Sequence, residues 1–239
     1  MIERHYPSGR TPRLLALYSF RYDAHLVPAL QENIAPLVDG WISYDDRAAT
    51  GEFSDEPARR FALLTAAHDA GAEWVLAMDP DERIESRARR MLPLLLDGEA
   101  SAYSVSFREL YTPHHYRVDG RWGQKSQVRL IRIADGVVPP TRDGLHTSWH
   151  ELIPAAKPRR SGINLYHLKM IDPARRQARA ALYERLDPEH AMQTIGYDYL
   201  ADDTALSLER IPIGRGYRPR HVDDGALWMS TGHAEDGPA

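Results

Sequence analysis

Three short apolar runs, separated by stretches of helical periodicity, constrain this chain more than any other feature. Leu14-Leu15-Ala16-Leu17-Tyr18-Ser19-Phe20 and Trp41-Ile42-Ser43-Tyr44 read as strands, and Glu73-Trp74-Val75-Leu76-Ala77-Met78 has the look of a buried parallel strand. Between the first two, Leu26, Leu30 and Ile34 recur at helical spacing, and that helix should stop before Asp39-Gly40. Between the second and third, Ser54 or Asp55 can cap a helix with Pro57 in its first turn; Phe61, Leu64 and Ala67 face inward and Gly71 ends it. Strand, helix, strand, helix, strand at short spacing predicts an α/β fold, a parallel sheet with right-handed crossovers. Such sheets bind ligands beyond the carboxyl ends of their strands. Residues 20–23, Asp45-Asp46 and Asp79-Pro80-Asp81-Glu82 all fall there.

The last of these carries the sharpest chemistry. Two carboxylates one residue apart at a strand end point to the same side of the sheet, and Pro80 stiffens the pair. Hard divalent cations such as Mg²⁺ take oxygen ligands of this kind and share them with substrate phosphates. A polar turn, with acids favoured at the next helix's N-terminus, explains the same residues without a ligand.

Farther on, Ser86 can cap a short helix through Leu95, and 103–108 alternates as a half-buried strand. Val128 to Ile133 is another strand, 134–158 reads as long loops of the kind that carry function, and 162–168 as a late strand. Asp172-Pro173 opens a basic helix with Arg175, Arg176, Arg179 and Arg185, and Asp187-Pro188 is read as opening a second. Residues 1–12 read as a flexible N-terminal arm, 13–170 as the main domain, 171–224 as a C-terminal helical lid, and 225–239 as a disordered tail.

Composition narrows the classes. At 239 residues, 43% hydrophobic and 27% charged, the chain can bury a full core. A net charge of −4 gives no electrostatic case for nucleic acid. The absence of cysteine rules out disulfides and thiolate metal sites and is compatible with a cytoplasmic location, which is the expectation. No apolar run approaches the roughly 18–20 residues of a transmembrane segment.

Taken in order, these motifs resemble the family-2 glycosyltransferases of the GT-A fold. Ile42-Ser43-Tyr44-Asp45-Asp46 stands where that family has its V-D-D-G-S strand end, and Ala58-Arg59-Arg60-Phe61-Ala62 resembles its A-R-N-x-A helix start. Trp74 to Glu82 looks like its W-x-L-x-L-D-A-D-E segment, 128–132 like its R-L-F-R strand, and Trp149-His150-Glu151-Leu152 like its V-H-E-x-L. The family's Gly-Ser and asparagine are replaced here by Arg47-Ala48 and Phe61.

The resemblance implies a GT-A, Rossmann-like, mostly parallel sheet flanked by helices. It also implies sugar transfer from a nucleotide-diphosphate sugar to the hydroxyl of a glycan or lipid-linked saccharide acceptor, with inversion. Asp79, Asp81 and a late-strand His167 would hold Mn²⁺ or Mg²⁺, Asp45 or Asp46 would meet the base or ribose, Arg59 or Arg60 a phosphate, and Tyr22 and Asp79 would also bind the donor nucleotide. Glu151, or His150 beside it, would be the general base. Two alternatives stay open: a nucleotide-sugar-binding module without turnover, and a sugar nucleotidyltransferase, although 19–23 lacks the latter's glycine-rich basic loop. The arginines at 175–179 and Gly214-Arg215-Gly216-Tyr217-Arg218 are expected to close on a diphosphate, because cations at a helix N-terminus oppose its dipole.

Overall fold

The computed structural model describes residues 1–50, 55–134, 136–141, 148–153, 157–191 and 193–222. The expected tail, Ser54 and part of the 134–158 loop region lie outside the described residues. Ten strands form one mixed sheet, with β3(Gly40–Asp45), β2(Leu14–Phe20) and β4(Trp74–Ala77) parallel and adjacent, β2 between the other two. The α/β Rossmann-like architecture expected from the alternation is present. β1(Ile2–His5) pairs antiparallel with β3, so the start of the expected loose arm is an edge strand instead.

Alternation along the parallel strands explains the layers. Leu14, Ala16, Tyr18, Trp74, Leu76 and Met78 face one side, against Leu30 and Ile34 of α1(Val27–Ile34) and Ala88, Leu92 and Leu96 of α3(Ala88–Leu96). Leu15, Leu17, Ile42, Val75 and Ala77 face the other, against Leu63, Leu64, Ala66 and Ala67 of α2(Glu56–Asp69). Successive strand residues point to opposite faces, so a strand apolar at every position must be covered on both. Asp55, whose Oδ1 accepts from Ala58 N at 3.0 Å, caps α2, and Gly71 closes the turn after it at φ +76°.

Beyond β4 the sheet turns antiparallel. β8(Ser126–Arg132) pairs with β4 and with the long β6(Ala102–Thr112), which continues through β7(His115–Arg117) to β10(Leu208–Arg210). β9(Pro158–His167) runs parallel to β6 and antiparallel to β5(Glu82–Ile84), the short strand that follows the acidic turn. α4(Pro173–Leu186) follows, capped by Asp172 with Oδ1 accepting from Ala174 N at 2.8 Å. No helix begins at Asp187-Pro188. The Asp187 carboxylate instead accepts from Tyr197 Oη at 2.8 Å and Gln193 N at 3.2 Å, which folds the chain back under α4. Ser86 likewise is not a cap: its N–H donates to Gly216 O at 2.8 Å.

Candidate functional site at the carboxyl edge of the parallel strands

Asp79-Pro80-Asp81-Glu82 forms a turn closed by Glu82 N donating to Asp79 O at 2.9 Å, with Pro80 at its second position. The turn splits the two aspartates between different partners. Asp79, 37% exposed at its side chain, meets Arg129 Nη2 at 2.9 Å from β8. Glu82, fully buried, takes the same guanidinium and accepts from Asp79 N at 2.8 Å. Asp81, also buried, lies 3.0 Å from His167 Nε2 at the end of β9 and 3.3 Å from Arg179 Nη2 of α4. The other His167 nitrogen sits 2.7 Å from Glu109 of β6, and Lys169 approaches Glu109 at 3.5 Å.

The electrostatics follow from these contacts. Burial disfavours the Asp81 carboxylate, but His167, Arg179 and Lys169 outweigh it and hold its pKa well below the usual range. Against the same burial, Lys169 and His167 bring Glu109 down to about 2. Burial lowers His167, yet Asp81 and Glu109 together raise it above its ordinary value. Glu82 goes the other way: burial, with Asp79 and Asp81 nearby, pushes it up to about 8 despite Arg129. Asp23, just past β2, is driven up to about 7 by burial and by the charges of Asp81 and Asp79. No motif marks Asp23; its place in the run 20–23, at a strand end, is the only signal.

The nucleoside-side candidates gather at the end of β3. Asp46 is buried and paired with Arg59 Nη1 at 2.6 Å, while Asp45 is half-buried and gripped by Arg47 Nη2 at 2.6 Å. Arg47, which replaces the family's glycine, therefore occupies Asp45 itself. Tyr22 is half-buried under the Arg21 guanidinium, 4.8 Å from its ring centroid. Arg60 pairs with Glu56 at 2.5 Å, stacks on Trp149 at 5.0 Å and acts electrostatically on Asp79.

That stacking brings the 3-10 turn Trp149–Leu152 beside the site, with Trp149 and Leu152 buried in the α2-side core. Glu151 is exposed and closes a capping box with Ser148, accepting from Ser148 N at 3.2 Å. His150 Nδ1 is buried with no hydrogen-bond partner among the described residues. His150 has no described hydrogen bond to Asp79, Asp81 or His167.

Arg175, Arg176 and Arg179 of α4 are buried within the protein, and Arg185 near its end is exposed. Arg176 meets Asp203 at 2.8 Å and stacks on Tyr111 at 4.5 Å, Arg175 lies 3.6 Å from Asp172, and Arg179 reaches Asp81. These partners, rather than an open diphosphate surface, account for cations at a helix N-terminus. Arg215 is likewise engaged, with both guanidinium arms on Glu85 at 2.7 Å.

Among the described residues, no group of three or more Asp, Glu or His side chains is arranged to hold a metal ion. Asp81 and His167 nonetheless converge, and one or two protein ligands completed by substrate phosphates is a common Mg²⁺ arrangement. The donor set, carboxylate and imidazole, suits Mn²⁺ as well.

Comparison with protein-family models gives no match, and comparison with curated proteins gives none. Among solved structures, the chain is similar to a glycosyltransferase involved in the glycosylation of the major capsid of PBCV-1. That likeness has 14% identity and a TM-score of 0.30, over 51% of this chain and 60% of that one. It is also similar to mannose-1-phosphate geranyltransferase from Thermus thermophilus, at 15% identity and a TM-score of 0.30, over 84% and 72%. The chain thus matches less than two thirds of the length of the first. Likenesses this slight do not bear on the reaction. What the fold and site define is an α/β protein with a buried, charge-dense cluster at the carboxyl edge of its parallel strands.

Proposed function

We propose that this chain is a glycosyltransferase that moves a sugar from a nucleotide-diphosphate sugar to an acceptor hydroxyl, with inversion. The observation that carries the reading is the gathering of Asp46, Arg59, Arg60, Asp79, Asp81, Arg129 and His167 at one strand edge. Asp81 and His167 would hold Mn²⁺ or Mg²⁺ once His167, whose raised pKa favours the protonated form, gives up its proton, with Asp79 two residues away. A divalent cation there supplies charge neutralisation for the departing nucleoside diphosphate. Arg129 and Arg60 lower the pKa of the partly exposed Asp79 against its partial desolvation, and they place fixed positive charge beside the diphosphate. Asp46, oriented by Arg59, presents a carboxylate to hydroxyl and N–H donors of the nucleoside.

The acceptor proton would go to Glu151 or to His150, whose ring nitrogen has no described partner. Their turn sits on Arg60 through Trp149. The acceptor is a glycan or lipid-linked saccharide.

Calorimetric titration with UDP, GDP, CDP and dTDP, with and without Mn²⁺, tests the donor half. One nucleotide should bind in a metal-dependent way, and Asp81→Asn should remove that dependence. Unchanged metal dependence in the variant would sink the assignment. Product analysis with the matching nucleotide sugar then separates transfer from nucleotidyl exchange or from binding alone. Glu151→Gln preserves the capping box, since glutamine serves there equally, so the fold should hold. Turnover should fall by roughly 10²–10⁴ if the carboxylate is the base; near-normal kcat moves the role to His150.

A further inference from the structure

The strap that leads from β10 back across the sheet is pinned in an unusual way. Pro212 to Arg215 form a turn, Arg215 N donating to Pro212 O at 3.0 Å, with Gly214 at φ +79° in its third position. That geometry is the type II turn, in which the third residue needs positive φ. The turn is anchored through its backbone and through Arg215. Arg215 grips Glu85 and donates to Gly162 O at 2.6 Å, Tyr166 Oη donates to Arg215 O at 2.5 Å, and Asn33 Nδ2 donates to Arg218 O at 2.7 Å.

Nothing in this anchoring uses the side chain of Ile213, Arg210, Arg218 or Arg220. Ile213, at the second position of the turn, is fully exposed, and Arg210, Arg218 and Arg220 are exposed as well. None of these three arginines has an ion-pair partner among the described residues. They line, with Ile213, His114, Tyr217 and the acidic Glu32, a cleft of about 880 Å³ along the strap. A rigidly held isoleucine at a turn tip, flanked by three cations, does nothing for the fold. An isolated exposed apolar residue needs no explanation by itself; this one stands among three arginines, with Glu32 as the acid in the same cleft lining.

We propose that the strap of residues 208–222 is a membrane-surface contact for anionic phospholipid. Ile213 enters the headgroup region, and Arg210, Arg218 and Arg220 meet lipid phosphates. Apolar penetration combined with arginine–phosphate attraction is how interfacial segments bind, each contribution being modest alone. The exposed apolar tip selects the lipid over a long polyanion, because Ile213 gains by entering a headgroup region and gains nothing from a hydrated polymer. The chain as a whole carries −4, so binding to an anionic surface depends on the strap's local charge. A headgroup contact at one edge is screened from the rest over about 8 Å at physiological salt. No helix among the described residues is long and apolar enough to cross a membrane, so the contact would lie on the surface. The inference stands apart from the proposed transfer reaction.

Vesicle co-sedimentation of the full chain tests it, with phosphatidylcholine alone and with added phosphatidylglycerol. The protein should sediment with the anionic vesicles and be released by salt. Replacing Arg210, Arg218 and Arg220 together by glutamine should weaken partitioning by roughly a hundredfold, at about fivefold per arginine. Ile213→Ser should weaken it by roughly tenfold or more, the apolar burial that is lost. All four side chains are exposed, so each variant's thermal midpoint should match the parent. Sedimentation independent of phosphatidylglycerol, or unchanged in both variants, overturns the proposal. So does salt-sensitive self-association without vesicles that Ile213→Ser abolishes, which would make the occupant a second copy of the chain.

Discussion

Around β2 and β4 the interior is filled by Leu15, Leu17, Ile42, Val75 and Leu76, all fully buried. Around β6, β9 and α4 the buried positions include Glu109, Arg117, Arg129, His167, Arg175, Arg176 and Arg179. Both regions exclude water, but by different means. The first needs only apolar surface of the right shape, which tolerates conservative exchange. The second needs each charge matched, because an ion taken out of water is costly unless paired and hydrogen-bonded. In it Arg117 lies between the Tyr111 and Trp122 rings, at 5.3 and 5.0 Å, and bonds Asp119 at 2.8 Å. The difference teaches that the costlier interior is the one that touches the acidic turn.

The sharpest way to break this contrast is to remove one charge and one apolar side chain of similar burial. Arg129→Ala removes the guanidinium that Glu82 and Asp79 share and should cost about 3–5 kcal/mol, more as pH rises through about 8, where Glu82 must ionise, than below it. Leu17→Ala should cost about 2–5 kcal/mol, from lost transfer energy and a cavity. Urea unfolding at several pH values distinguishes them, because only the first loss should change with pH. If Arg129→Ala behaves like a surface substitution, the charged region is not held by its ion pairs.

A second test uses pH alone. His167 has a raised pKa in the folded protein, so its contribution is complete below its unfolded value near 6.5 and is lost as pH rises through the folded value. Glu82, raised to about 8, declines in the same direction as it is forced to ionise between about 4.5 and 8. Asp81 and Glu109 are depressed, so their contributions hold above roughly pH 4–4.5 and fade only as acid approaches their folded values. Thermal midpoints should therefore drop from about pH 6 to about pH 9, and His167→Gln should flatten part of that fall. A variant profile parallel to the parent would mean the imidazole is uncharged in the folded state.

The smallest effect compares the two N-caps. Asp55→Ala removes a solvent-facing cap of α2 and should cost about 1 kcal/mol. Asp172→Ala removes the cap of α4 and also the carboxylate 3.6 Å from buried Arg175, so its cost should be larger by a measurable margin. Equal costs in chemical denaturation would show that Arg175 draws nothing from Asp172.

How much was legible in advance differs between the same two regions. Apolar runs at 14–20, 41–44 and 73–78 specify strands, and helical spacing at 26–34 and 57–67 specifies helices, because local periodicity alone decides which faces must be covered. The core of the first region, its layers and the strand-end position of Asp46, Asp79 and Asp81 follow from that. The pairing of charges does not. Arg176 with Asp203, Arg179 with Asp81, and His167 between Asp81 and Glu109 join residues 27 to 98 positions apart. No local pattern encodes which distant carboxylate meets which guanidinium, so the α4 arginines read as a ligand surface and Asp187-Pro188 as a helix start. Periodicity is a property of neighbours in the chain and survives in the sequence; charge matching is a property of neighbours in space, and only the tertiary structure decided it.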